Sequence, residues 1–459
     1  MTSRSAKRRS VLAAAAAVAA VTAAPSAVAH AAGPAGRRRP HRPEDGDLID
    51  FHGWSSYRDW RNGEHAGTRV AYGRCPGLAF AEPAGTTEYH DPHTGRTAEW
   101  EYATWTSAPH TPAVPAAELV ASWNAVTPEG TWLRVEMRGE YSDGCRTPWY
   151  TLGVWTAGDG EDVPRRTSVP GQGDGRSSIW TDTFAVGDTG SGLRLAAYRL
   201  RLTLCRAPGS RSVPVVRRLG AMLSDLPARF EVPAAEPGCA RGIELDVPRY
   251  SQNVHEGRYP EFDGGGEAWC SPTSSQMIIE YWGHRPTPED LAWVKPEYDD
   301  PQVCHAARMT FDYAYEGCGN WPFNAAYAAT YHGLESVVTR CASLDDAERL
   351  VAAGIPLITS QSFTEDELDG AGYGTAGHLM TVIGFTEDGD VIANDPASED
   401  NAAVRRVYPR RQFENIWLRT RRYNAEGEVR SGTGGVCYLY FPEHPSGAQR
   451  RVLRELGIR

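Results

Sequence analysis

The chain has 459 residues, 41% of them hydrophobic, and a formal net charge of -11. At roughly 150 residues per domain, that length predicts two to three units, each able to bury a core. The acidic balance argues against a nucleic-acid partner, which calls for a basic face; beyond that it favours solubility.

Residues 1–29 read as an export signal. Lys7, Arg8 and Arg9 give a positive start, residues 11–24 form an apolar alanine-rich run, and Ala27-Val28-Ala29 offers a small-x-small cleavage site. The Arg8-Arg9 pair resembles a twin-arginine signal; an ordinary secretion signal with a chance arginine pair is the plainer alternative. The run is short for a membrane anchor, and no later stretch is long and apolar enough to span a bilayer. The expected product is secreted, without stable membrane insertion. Residues 30–45, with Arg37-Arg38-Arg39-Pro40, predict a disordered spacer.

Residues 46–235 read as an all-β, sandwich-like accessory domain. Residues 131–138 alternate, with Leu133, Val135 and Met137 on one side. Residues 199–205 alternate likewise, and 149–155 are rich in aromatic and β-forming types. Gly and Pro clusters such as 168–175 separate these runs. No acid pair or metal-ligand cluster stands out, which suits an accessory or binding module. Residues 236–242, opening Glu236-Pro237-Gly238, predict a linker.

Residues 243–442 change character, with 443–459 left as a tail. The pattern predicts a strand at 243–247 and helices at 272–282, 288–294, 324–332 and 344–353. Further strands follow at 355–363, 379–385 and 391–394. Helices first and strands later predict an α+β domain.

The chemistry-bearing residues lie here. Cys270 precedes Ser271-Pro272; proline is favoured at a helix start, and Ser271 can cap it. Cys270 is therefore expected at a helix N-terminus, behind Gly264-Gly265-Gly266. Unpaired N–H groups and the helix dipole stabilise a thiolate there, and the thiolate is the nucleophile. His378 opens the strand 379–385, Asp388-Gly389 supplies a turn, and 391–394 returns. A hairpin centred near residue 387 sets 378 opposite 396 and brings Asp395 beside His378. A carboxylate in that place orients the ring and supports the imidazolium. Taken singly, each of these residues also has a plain structural reading: a core or disulfide cysteine, a strand histidine.

The nine cysteines divide as Cys75, Cys145, Cys205 and Cys239 in the first half and Cys270, Cys304, Cys318, Cys341 and Cys437 in the second. If disulfides stay within domains, the second half leaves one thiol free. With Cys270 as that thiol, the expected bridges are Cys304–Cys318 and Cys341–Cys437; the first half admits three pairings.

Five ordered stretches carry a resemblance: 247–252 (Val-Pro-Arg-Tyr-Ser-Gln), 269–274 (Trp-Cys-Ser-Pro-Thr-Ser), 353–356 (Ala-Gly-Ile-Pro), 377–379 (Gly-His-Leu) and 393–396 (Ala-Asn-Asp-Pro). Residues 243–442 resemble the papain-like domains of cysteine peptidase family thirty-nine, relatives of bacteriocin-leader peptidases. The resemblance implies a catalytic Cys270–His378–Asp395 triad and Gln252 as an oxyanion donor beside the Cys270 N–H. For Gln252 to reach Cys270, residues 253–266 must fold back. It implies a peptide or protein substrate, which includes cell-wall peptides, with no cofactor and no metal. Three other readings stay open: a cell-wall amidase or endopeptidase of the same clan, a secreted binding protein with a relic site, and a zinc site from Cys304, His305 and Cys318, whose irregular spacing argues against it.

Overall fold

The computed structural model describes residues 48–72 and 76–459. The expected export signal, the spacer and Cys75 lie outside the described residues. The first half is built from two antiparallel sheets. One is centred on Glu118–Val126 and Val215–Asp225, the other on Thr131–Tyr141 and Leu195–Arg206. Alternation puts Leu133, Val135, Met137, Leu200, Leu202 and Leu204 into a core shared with Leu119, Ala121, Trp123, Leu219 and Leu223 of the other sheet. Trp132, on the opposite face, packs under a smaller cluster with Trp100, Val154 and Cys205.

The second half holds a six-stranded antiparallel sheet in the order Leu334–Arg340, Val436–Pro442, Leu357–Phe363, Thr375–Phe385, Val391–Asn394, Arg405–Tyr408. The helix Cys270–Tyr281 packs on Thr375–Phe385 and on the helices Pro301–Thr310 and Trp321–Ala328. The molecule is thus mixed, with an all-β first half and an α+β second half.

Several elements differ from the sequence expectation. Residues 243–247 join the sheet only at its margin: Leu245 N–H donates to Ile383 O (2.8 Å) and Phe385 N–H to Ile243 O (2.8 Å). Val247 N–H then turns back to Leu245 O (2.9 Å), which ends the pairing. The helix near 288 stops at Leu291 after one capped turn. The helix expected at 324 starts three residues earlier, because Asn320 caps it by accepting from Phe323 N–H (3.1 Å). Among the described residues no helix is long and apolar enough to cross a membrane.

The two halves share buried contacts. Phe323 lies between Trp123 and Trp155, one from each sheet, at ring separations of 6.1 and 5.4 Å. The Asn124 amide donates to Ser336 O (2.8 Å) and accepts from Ser336 N–H (3.1 Å), pairing with the edge strand Leu334–Arg340 as another strand would. Arg218 forks onto Glu335 (2.9 and 2.5 Å). The segment between the halves is fastened too. Fully buried Glu348, paired with Arg410 (2.7 Å), accepts Gly238 N–H (3.0 Å) and Ala240 N–H (3.3 Å), while Arg410 also donates to Ala235 O (2.9 Å).

No described cysteine forms a disulfide, which corrects the expected Cys304–Cys318 bridge. Cys304 sits within the helix Pro301–Thr310 with Sγ 3.5 Å from Nδ1 of His255, and Cys318 Sγ donates to Ala307 O (3.4 Å). Cys341 and Cys437 do meet, with sulfurs 3.7 Å apart, as buried thiols.

Candidate active site

The helix begins at Cys270 itself, two residues before the proline expected to open it. Trp269, not Ser271, takes the cap position and makes no side-chain cap bond; its indole N–H donates to Phe262 O (2.7 Å) instead. Ser271 and two further serines of this helix instead seat it on the sheet. Ser271 Oγ meets the Tyr438 hydroxyl (3.1 Å), Ser274 Oγ donates to Leu379 O (3.2 Å), and Ser275 Oγ meets the Tyr440 hydroxyl (2.9 Å). Cys270 is left half-exposed at the helix tip.

His378 lies three residues inside Thr375–Phe385 and is 4% exposed. Its Nε2 is 2.8 Å from Asp395 Oδ1. Nδ1 is the nitrogen left for Cys270, whose side chain lies near enough to the ring to raise its pKa. A bulge between Val382 and Gly384 leaves Thr381 opposite Asn394, so Asp395 reaches His378 diagonally rather than across a direct pair.

Asp395, 1% exposed, is saturated with donors. Oδ1 also accepts Ala397 N–H (3.0 Å); Oδ2 accepts the hydroxyls of Tyr408 (2.6 Å) and Tyr373 (2.8 Å). Burial alone pushes this carboxyl up, but the His378 charge and these donors hold it below the ordinary Asp value. For His378, burial favours the neutral ring; the Asp395 charge and hydrogen bond, with nearby Cys270, outweigh it and raise the pKa to about 10. Tyr373 also sets its ring edge-on to His378, with centroids 5.5 Å apart. No motif marks Tyr373 or Tyr408, and sequence reasoning missed both.

Gln252 is 3% exposed. Its backbone N–H donates to Pro396 O (2.9 Å), next to Asp395, and its Nε2 to Glu267 O (2.8 Å), three residues before Cys270. Its Oε1 has no partner. Residues 253–266 do fold back: Gly266 lies so close to Gln252 and His255 that a Cβ there would stand 2.3 Å from Gln252 O. Gln252 thus spans the Asp395-Pro396 segment and the turn leading to Cys270.

Cys304, His305 and Cys318 do not converge, since His305 Nδ1 faces Asp290 O (3.1 Å) while both thiols point elsewhere. Among the described residues no three His, Cys, Asp or Glu side chains gather as a metal site. The arrangement that remains is a thiol at a helix tip, a buried imidazole beside it and a carboxylate behind the imidazole.

Residues 244–425 match the Peptidase_C39 like family, and residues 50–224 match the Peptidase C39 N-terminal domain. Five chains of solved structures match. One is a crystal structure from Bacillus anthracis, provisionally assigned as a C39-like peptidase. It shares 17% identity, covers 45% of this chain and 100% of that one, and has a TM-score of 0.27. No curated protein matches. The family models carry the assignment: residues 244–425 are a C39-like peptidase domain of the papain-like clan, joined to the N-terminal domain of C39 peptidases.

Proposed function

We propose that the protein is an exported cysteine peptidase that works through Cys270, His378 and Asp395. The observation that carries this reading is the buried ring of His378, held by Asp395 on Nε2 (2.8 Å), with Cys270 near enough at the helix tip to raise its pKa. In the proposed reaction the Cys270 thiol gives its proton to His378 Nδ1 and the sulfur attacks a peptide carbonyl carbon. The resulting oxyanion is met by the Cys270 N–H and by Gln252 Nε2, which retains a second hydrogen beyond the one given to Glu267. His378 Nδ1 protonates the departing amine, leaving a thioester on Cys270. The same nitrogen then takes a proton from water, the hydroxide attacks the thioester, and the thiolate leaves with the acid as product. Asp395 and its two tyrosines keep the ring oriented through both steps. Export rests on the pattern of residues 1–29.

The test is labelling with a thiol-directed covalent inhibitor, with mass spectrometric assignment of the modified cysteine, beside digests of casein and of purified cell walls. Cys270 is the expected labelled residue. Cys270→Ala is expected to abolish hydrolysis with a nearly unchanged Tm. Measurable hydrolysis by Cys270→Ala would overturn the assignment, and the digest that is cut distinguishes protein from cell-wall peptide substrates.

A further inference from the structure

A well-formed cleft lies away from Cys270, where the two halves meet. It encloses about 660 Å³ and is bounded by Ser55, Pro76, Arg217 and Arg218 of the first half. The second half adds Glu335, Phe441, Glu443, His444, Pro445 and the helix Gly447–Glu455 with the residues after it. That volume is in the range of small-molecule sites.

The charges of this cleft are unbalanced. Glu335 is already forked by Arg218, whose Nη1 also donates to Arg459 O (2.8 Å). Glu443 is 3.7 Å from Arg217 Nη1. Arg217 gives Nη2 to Ala329 O (2.7 Å), yet its Nε is buried without an acceptor. Arg450 and Arg454, one turn apart on the helix, have no side-chain hydrogen bond or ion pair among the described residues. A chain of net charge -11 thus gathers five guanidinium groups, those of Arg217, Arg218, Arg450, Arg454 and Arg459, against the committed side-chain carboxylates of Glu335 and Glu443. Beside them Phe441, Pro445, Leu453 and Ile458 supply apolar wall.

We propose that this interdomain cleft binds an amphipathic organic anion, with its carboxylate, sulfonate or phosphate group on Arg450 and Arg454 and its apolar body against Phe441, Leu453 and Ile458. Guanidinium groups suit such anions through paired N–H donors, and the apolar wall selects against a small, fully hydrated ion. The site is independent of the Cys270 chemistry and does not need it to be active.

The full chain is titrated with 1-anilinonaphthalene-8-sulfonate, followed by fluorescence, and in parallel with its uncharged counterpart N-phenyl-1-naphthylamine. One saturable sulfonate site is expected, weakened by added salt, with the neutral probe bound far less tightly. Arg450→Ala with Arg454→Ala is expected to raise Kd roughly 10-fold, a loss of about 1.4 kcal/mol. Glu443→Gln frees Arg217 and is expected to lower Kd. Equal binding of the two probes, or an unchanged Kd in the double variant, overturns the proposal. If the double variant fails to fold, Glu443→Gln decides: a lower Kd supports the site, and an unchanged or higher Kd overturns it.

Discussion

At the scale of single residues, the His378–Asp395 pair couples stability to pH. His378 is raised from 6.5 to about 10, so its contribution is fully present below pH 6.5 and is lost as the pH rises toward 10. Asp395 is lowered from 3.8, so its contribution is present above pH 3.8 and is lost as the pH falls through its lower native value. The wild-type Tm is therefore expected to decline across the alkaline window, with Asp395→Asn flattening that decline and lowering kcat by up to about 10⁴-fold. Thermal melts of both proteins across pH 6.5–10 check this, and parallel slopes would count against the pairing. Cys270, His378 and Asp395 were legible because local signals mark each: a glycine-flanked helix start, and a strand–turn–strand that closes on Asp395. Tyr373 and Tyr408 were not. They reach Asp395 from a loop and from a third strand, Arg405–Tyr408, whose pairing no short-range pattern announces.

At the scale of elements, the segment between Gln252 and Cys270 works by close backbone approach. Gly266 lies against Gln252 O and the His255 carbonyl carbon, at 2.3 and 2.5 Å from where a Cβ would stand. Gly266→Ala must push these backbones apart. It is expected to cost about 1–3 kcal/mol and to lower kcat by displacing Gln252, as read by thermal melts and steady-state kinetics on the same preparation. A fall in Tm with kcat intact would separate the fold of this loop from any role of Gln252. The need for the loop to fold back could be read from the 18-residue spacing, but its anchor on Pro396 O could not. The helix Pro301–Thr310 escaped notice for a different reason. Its buried residues, Gln302 to Ala307, run without a break, so no polar face marks its period. The expected Cys304–Cys318 bridge failed because parity counts cysteines without placing them. Cys304 and Cys318 each found a local partner inside the core.

At the scale of the whole molecule, the two halves are expected to unfold as one. The Asn124 amide satisfies both the N–H and the C=O of Ser336 on an edge strand, and neither group would reach water in the joined molecule. Asn124→Ala leaves that edge unpaired at a cost of about 1–3 kcal/mol. Scanning calorimetry of the wild type is expected to give one transition; two well-separated transitions would mean that the halves are energetically independent. The order of the halves and the class of each were written in the periodicity, which switches from 2 to mixed after residue 242. Their union was not, because its contacts join residues more than a hundred positions apart, such as Asn124 with Ser336 and Arg218 with Glu335.

Phe323, held between Trp123 and Trp155, bears on how such a protein can change by descent. Its ring fits a gap in the sandwich, and Gly153 keeps that gap open by having no Cβ, which would otherwise stand 3.1 Å from the Phe323 ring. A peptidase half transplanted behind another module would carry this aromatic ring onto its surface, and a sandwich left behind would expose two tryptophans. A gene shuffled at the linker loses this fit on both sides, so the two halves of this chain are expected to be inherited, duplicated and lost together.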